Sequence, residues 1–241
     1  EQHCTERTKM VMFSSPCNPS GSVFTEGDLE EIAGFLRQHS QVIAVADEIY
    51  ELINFEGLHH SLAHCPGVYD QVVTVNGLSK GFAMTGYRLG YIGAPAWLAQ
   101  ACVKMQGQFT SAASSISQRA AIAALQSDPW EMTTMQKAFL RRRDLVIDGL
   151  QKIPGIQTNI PQGAFYVFPD ISELLGRSYQ GKQMQSSSDL CHYLLDEARV
   201  ALVPGEAFGS PHCLRLSYAS SEEELREALQ RIAKAVQNLQ S

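Results

Sequence analysis

Apolar and polar positions recur along this chain with two different periods, and the changes between them outline its elements. Thr8–Phe13 is a short apolar run that stops at Ser14-Ser15-Pro16, which predicts a strand entering a loop. Leu29, Ile32, Ala33 and Leu36 then recur at helical spacing, behind Thr25 as N-cap with Asp28 three residues on. Val42–Ala46 is continuously apolar, the pattern of a strand buried on both faces, and Gln71–Val75 repeats it. Strand, helix, strand, strand with long connections predicts an α/β domain with a largely parallel sheet.

The texture changes in the second half. Residues 113–126 and 129–152 are rich in Ala, Leu and charge and read as helices, with Pro129 suited to a first turn. Short strands are predicted at Ala164–Phe168, Val200–Val203 and Cys213–Ser217, with a helix over 187–198 among them. Ser221-Glu222-Glu223-Glu224 is a capping-box pattern. Behind it Leu225, Leu229, Ile232, Val236 and Leu239 form one helical stripe. Gly176–Ser188, rich in Ser, Gln and Gly, reads as an exposed loop, and no repeat or low-complexity tract is present. An α/β first half and a smaller α+β second half are therefore expected, joined through long helices near residue 125.

Composition narrows the function classes. The 241 residues hold 19 Lys and Arg against 25 Asp and Glu, a net charge of −6 that disfavours a phosphate-backbone binder. The one dense basic run, Arg141-Arg142-Arg143, reads as a solvated helix face. The longest apolar run, Ala120–Leu125, falls far short of the roughly 20 residues of a membrane span, and the N-terminus shows no apolar signal region. Cys4, Cys17, Cys65, Cys102, Cys191 and Cys213 are scattered without metal-type spacing, as expected of free thiols in a reducing compartment. A soluble, cytoplasmic protein without nucleic-acid, membrane or metal partners is expected.

Four constellations carry chemistry. Asn18-Pro19-Ser20-Gly21 follows the first strand and reads equally as a plain turn. Asp47-Glu48-Ile49-Tyr50 lies at the carboxyl end of a buried strand, where open α/β sheets bind ligands. As an alternative, Asp47 caps a helix while Tyr50 packs. The third runs from Asn76 to Gly90 and sets Ser79-Lys80 among small residues, with Arg88 eight positions on. A desolvated Lys can become a nucleophile or Schiff-base former, and an Arg fork fits a phosphate. In the fourth, Arg215 sits inside the apolar run Leu214–Ala219. It requires an anion there, either a ligand or an internal partner such as Glu206 or Asp170.

In this order and spacing the segments closely resemble the class I and II aminotransferases of the fold-type I pyridoxal-phosphate enzymes, in the aspartate aminotransferase-like branch. The resemblance runs from about residue 8 to the C-terminus. It implies pyridoxal 5'-phosphate as cofactor, with Lys80 bonding covalently to it and shuttling the substrate's proton. It implies Asp47 on the pyridine nitrogen, Asn18 and Tyr50 on the phenolic oxygen, Ser79 and Arg88 on the phosphate, and Arg215 on the substrate α-carboxylate. The implied fold is part of a large, mainly parallel α/β domain over 1–125, and a smaller α+β domain over 126–241 with a long linking helix. The implied reaction moves the amino group of aspartate or a similar amino acid to 2-oxoglutarate, in a homodimer. A related carbon–sulfur lyase, or an inactive folded fragment, are the alternatives.

The sequence departs from the family in places. Gly77 stands where many relatives carry a hydroxyl residue for the phosphate, and Tyr87 replaces a frequent Trp. Gln162-Gly163-Ala164-Phe165-Tyr166 fits the family's Gly-aromatic segment at the site mouth, or a tight turn before a strand. The resemblance further implies a C-terminal portion. Lacking would be the helix N-terminus that binds phosphate, the aromatic that stacks on the ring, and the residues given to a neighbouring subunit.

Overall fold

The computed structural model describes residues 4–127 and 129–240, except the side chains of 129–131. They divide into two compact units. Unit 1 comprises 4–17 and 22–136; unit 2 comprises Asn18–Gly21 and 137–240.

Unit 1 is built on strands β1 (Met10–Ser14), β2 (Ile43–Asp47), β3 (Val72–Gly77) and β4 (Gly90–Gly93), in that spatial order. The first three pair in parallel; β4 runs antiparallel to β3, with Gly77 opposite Gly90. Helix α1 (Glu26–Gln38) starts as its sequence dictates. Asp28 N–H donates to Thr25 Oγ1 at 3.2 Å, and Thr25 N–H donates back to Asp28 Oδ2 at 2.8 Å. Its apolar stripe, Leu29, Ala33 and Leu36, packs on Val42, Ala44, Leu62 and Val72. This covers one face of the sheet. Strand β2 therefore alternates rather than being buried on both faces: Ala44 and Ala46 are buried, Ile43 and Val45 half-buried.

Helices α2 (Ala96–Phe109) and α3 (Ser115–Leu125) follow. No residue of α2 is buried, and Trp97, Val103, Met105 and Phe109 are all exposed. Helix α4 (Pro129–Leu150) begins at Pro129 and runs across the division into unit 2. The Arg141-Arg142-Arg143 run is not one solvated face, because successive helical residues point about 100° apart. Arg141 is exposed and pairs with Glu222 at 3.6 Å. Arg143 is only 14% exposed, donating to Pro161 O at 3.0 Å and to Asp144 Oδ1.

Unit 2 contains β5 (Tyr166–Val167), the hairpin β6 (Ser178–Tyr179) and β7 (Lys182–Gln183), α5 (Ser187–Ala198), β8 (Val203–Pro204), β9 (Leu214–Ser217) and α6 (Glu222–Gln237). Strands β5, β9 and β8 form an antiparallel sheet in that order. The segment expected as an exposed loop, 176–188, holds the hairpin instead, with Met184 buried beside it. Its polar composition hides one apolar anchor. Helix α6 opens on the expected Ser221–Glu224 capping box and buries Leu225, Leu229, Ile232 and Val236. Tyr193 Oη of α5 donates to Ala235 O at 2.9 Å, tying the two helices. Among the described residues no helix is long and apolar enough to cross a membrane.

Candidate active site

In unit 1 the chemistry collects where the strands' carboxyl ends meet, because parallel pairing brings these ends into register. Asp47 closes β2, with Ser14 of β1 and Val75 of β3 as its register partners. Its Oδ1 accepts from Ile49 N–H at 3.1 Å, so the carboxylate turns the chain instead of capping a long helix. Ile53 N–H then donates to Tyr50 O at 2.8 Å, completing a compact turn that buries Tyr50 to 4% exposure.

Lys80 follows β3, and its Nζ stands 5.8 Å from the centroid of the Tyr50 ring. Gly81 packs against the same turn. A Cβ at 81 would meet Leu52 Cδ1 at 2.8 Å and Cβ at 3.0 Å, so a larger residue would require the Leu52 side chain to shift. Lys80 and Ser79 are both half-buried. Arg88 is exposed and in the left-handed region at φ 53°, with its Nη1 donating to Thr85 O at 2.9 Å. Ala83 shares that φ, so two non-glycine residues in sparsely populated backbone bound this segment. Ser117 of α3 donates to Tyr87 O at 2.7 Å and fixes the residue before Arg88. Gly77 has a steric reason as well: a Cβ there would meet Gly90 Cα at 2.9 Å and Leu89 O at 3.0 Å. A hydroxyl residue at this position is incompatible with the β3–β4 pairing.

In unit 2, Arg215 of β9 reaches the other predicted residue, Asn18. Its Nη1 donates to Asn18 Oδ1 at 2.8 Å. Its guanidinium carbon lies 4.5 Å from the Tyr166 ring centroid and 5.0 Å from that of Phe208, within cation–π range of both. Arg215 Nε is buried without a partner, and among the described residues Arg215 pairs with neither Glu206 nor Asp170. Glu206 instead accepts from Ser188 Oγ. Asn18 is held by its own segment: Gly21 O accepts from Gln162 N–H at 2.8 Å and Gly163 N–H at 2.9 Å, and Ser20 O accepts from Asn159 Nδ2 at 2.9 Å.

Nothing local in the sequence marks Tyr166 and Phe208 as partners of Arg215. The same holds for the half-buried His59 and Ser61, which meet the buried Glu48 carboxylate beside Asp47.

Comparison with known proteins gives these positions a context. The family model described as aminotransferase class I and II matches residues 1–232. The chain is 46% identical, over 98% of its length and 50% of the relative's, to a bifunctional aspartate aminotransferase and glutamate/aspartate-prephenate aminotransferase of Petunia hybrida. It is 43% identical to an aspartate aminotransferase of Rhizobium meliloti strain 1021, covering 99% of this chain and 59% of that one. The crystal structure of a Rhizobium meliloti aspartate aminotransferase superposes with a TM-score of 0.94 at 43% identity, over 98% of this chain and 60% of that chain. An aromatic aminotransferase of Pyrococcus horikoshii gives a TM-score of 0.89 at 39% identity, over 98% and 62%. The chain thus spans about half to three fifths of the length of the relatives it matches.

Proposed function

This chain belongs to the class I and II aminotransferase family, and from that premise we propose that it is part of a pyridoxal-phosphate-dependent aminotransferase. Its substrates are aspartate or a similar amino acid and a 2-oxo acid, and the whole protein is a homodimer. The observation that carries the reading is Lys80 held against Tyr50, on the loop that leaves the strand paired with Asp47.

The residues fit the cofactor's chemistry. An amine, a phenol, a carboxylate and a guanidinium stand on neighbouring loops of unit 1, and each matches a different group of pyridoxal phosphate. When bound, that cofactor supplies a conjugated ring that accepts the electrons left by a broken Cα–H bond. Asp47 holds a proton on the ring nitrogen, Tyr50 Oη donates to the phenolic oxygen, and Ser79 with Arg88 binds the phosphate. Lys80 Nζ would carry the proton lost from the substrate's Cα to the cofactor carbon two bonds away, across the nitrogen. With Gly77 fixed by packing, one hydroxyl of the family's usual phosphate set has no counterpart at that position. Arg215 grips the substrate α-carboxylate and sets the direction of the Cα–H bond. Asn18 Oδ1 orients Arg215, and its amide nitrogen keeps the donor role toward the phenolic oxygen.

In this reading residues 1–125 are the large-domain share and 126–241 the small domain; the compact units divide later, between 136 and 137, with Asn18–Gly21 in the second unit. Six free cysteines support a cytoplasmic setting.

The test is reduction with borohydride after loading with pyridoxal phosphate. Label on the tryptic peptide containing Lys80 is expected; label on Lys104 or Lys152 instead would overturn the assignment. Turnover separates the chemistries: 2-oxoglutarate-dependent amino transfer is expected, and accumulation of pyruvate and ammonia would point to a lyase.

A further inference from the structure

Arg88 adopts φ 53° and ψ 48°, a left-handed backbone that is costly for a residue with a Cβ and is usually left to glycine. The turn before it, Thr85–Tyr87, is closed by Tyr87 N–H donating to Met84 O at 3.1 Å. Met84 and Ala83 are tied back to the lysine loop, their N–H groups donating to Leu78 O at 3.3 Å and to Lys80 O at 3.2 Å. On the other side the chain enters β4, where Gly90 pairs with Gly77. Between these anchors lies the peptide joining Tyr87 to Arg88, whose orientation sets the Arg88 φ. It is held from a separate helix, by Ser117 Oγ donating to Tyr87 O at 2.7 Å.

Ser117 stands in the first turn of α3, is 6% exposed, and shares the buried face of that helix with Ala121. Alanine is the better helix former, so the hydroxyl at this buried position does not serve α3 itself. A serine within a helix commonly bonds back to the carbonyl four residues earlier. Here that carbonyl, of Ala113, accepts from Gln118 Nε2 at 2.8 Å, and Ser117 reaches across to the Arg88 segment instead. The guanidinium is directed by a local bond, Nη1 donating to Thr85 O at 2.9 Å. Backbone and side chain of Arg88 are thus both set by the fold.

We propose that Ser117 is a positioning residue for Arg88: by holding the Tyr87 carbonyl it keeps Arg88 left-handed and its guanidinium turned to take the cofactor phosphate. Without the hydroxyl, Arg88 can return to a negative φ, which swings the whole side chain, and the ligand must then supply the ordering. The proposal rests on the reading of Arg88 as a phosphate ligand given above.

Dissociation constants of pyridoxal phosphate and of pyridoxal, which lacks the phosphate, measured on the full chain test it. Ser117→Ala is expected to weaken pyridoxal phosphate about tenfold and to leave pyridoxal unchanged. Arg88→Ala is expected to lose more of the same phosphate preference. Adding Ser117→Ala to Arg88→Ala is expected to change nothing further, because Ser117 acts through Arg88. Hydrogen exchange in 85–88 is expected to quicken in Ser117→Ala, with β9 and α6 unchanged. Should Ser117→Ala fail to fold, Ser117→Cys, a weaker donor of similar shape, is expected to show a smaller loss of the same kind. Unchanged affinity for pyridoxal phosphate, equal weakening of both ligands, or a further loss on the Arg88→Ala background overturns the positioning role. A wild-type chain that binds the two ligands alike overturns the phosphate reading of Arg88 instead, and exchange in 85–88 still decides whether Ser117 holds that segment.

Discussion

Arg215 Nη1 donates to Asn18 Oδ1 at 2.8 Å across 197 positions of sequence, and this bond fixes the plane of the guanidinium. Tyr166 and Phe208 both lie against it, and among the described residues the buried Nε has no acceptor. An unpaired buried donor lowers stability. It supports the proposed role of Arg215 as the grip on an anionic substrate group.

Arg215→Lys is therefore expected to separate function from stability. The ammonium lacks the planar fork, so kcat/KM for amino acid and oxo acid falls by the equivalent of about 1.5–3 kcal/mol. The melting temperature changes little, because removing the orphaned Nε–H offsets the lost Asn18 hydrogen bond. Lys80 labelling stays unchanged. A lowered melting temperature with KM intact would make Arg215 a structural residue.

Asp47→Asn is expected to keep the turn, since an amide oxygen still accepts from Ile49 N–H. It cannot hold a proton on the ring nitrogen. The variant takes the cofactor label at Lys80 yet loses roughly 10²–10³ in turnover. Wild-type turnover in steady-state assay refutes the role.

Gly77→Ser would appear to restore a phosphate ligand. Its Cβ would lie 2.9 Å from Gly90 Cα, backbone that cannot step aside without breaking the β3–β4 pair. The expected result is a loss of about 1–3 kcal/mol in urea unfolding and no gain in cofactor affinity. Tighter binding without destabilisation would show that the strand pair yields.

The cysteines should react in an order set by burial. Cys102 is exposed, whereas burial, reinforced by Glu206, pushes the Cys191 thiol up to about 11. At pH 8 the Cys191 thiolate is about a hundredfold scarcer than at an unperturbed cysteine, so iodoacetamide followed by mass spectrometry should find Cys102 modified first and Cys191 last. The native thiol keeps its proton after the unfolded one has lost it. This contribution to stability is therefore complete below about pH 9 and is lost as pH rises through about 11. Equal alkylation rates at the two cysteines would contradict the burial.

Local features were readable from the sequence because neighbouring residues determine them. Thr25–Asp28 and Ser221–Glu224 specify helix starts within four positions, and both boxes form. Strand β4 was not readable. Gly90-Tyr91-Ile92-Gly93 has two apolar side chains between glycines and becomes a strand because β3 offers it an edge. Helix α2 was hidden for another reason: Pro95 looks like an interruption but stands at its N-cap, and no buried stripe marks the rest. The candidate residues could be read as local motifs, whereas the Asn18–Arg215 bond and the Glu48–His59 contact arise only on folding.

The tetrapeptide Asn18–Gly21 is flanked on both sides by unit 1 and packs with unit 2, against partners near residues 160 and 215. A ribosome adding about 5–20 residues per second delivers Arg215 roughly 10–40 s after Asn18. Throughout that interval β1 and α1 can close on their own side of the sheet while the four residues between them wait for a partner still being synthesised. In this chain the earlier-made partner of the Asn18–Arg215 bond is among the last segments to be anchored.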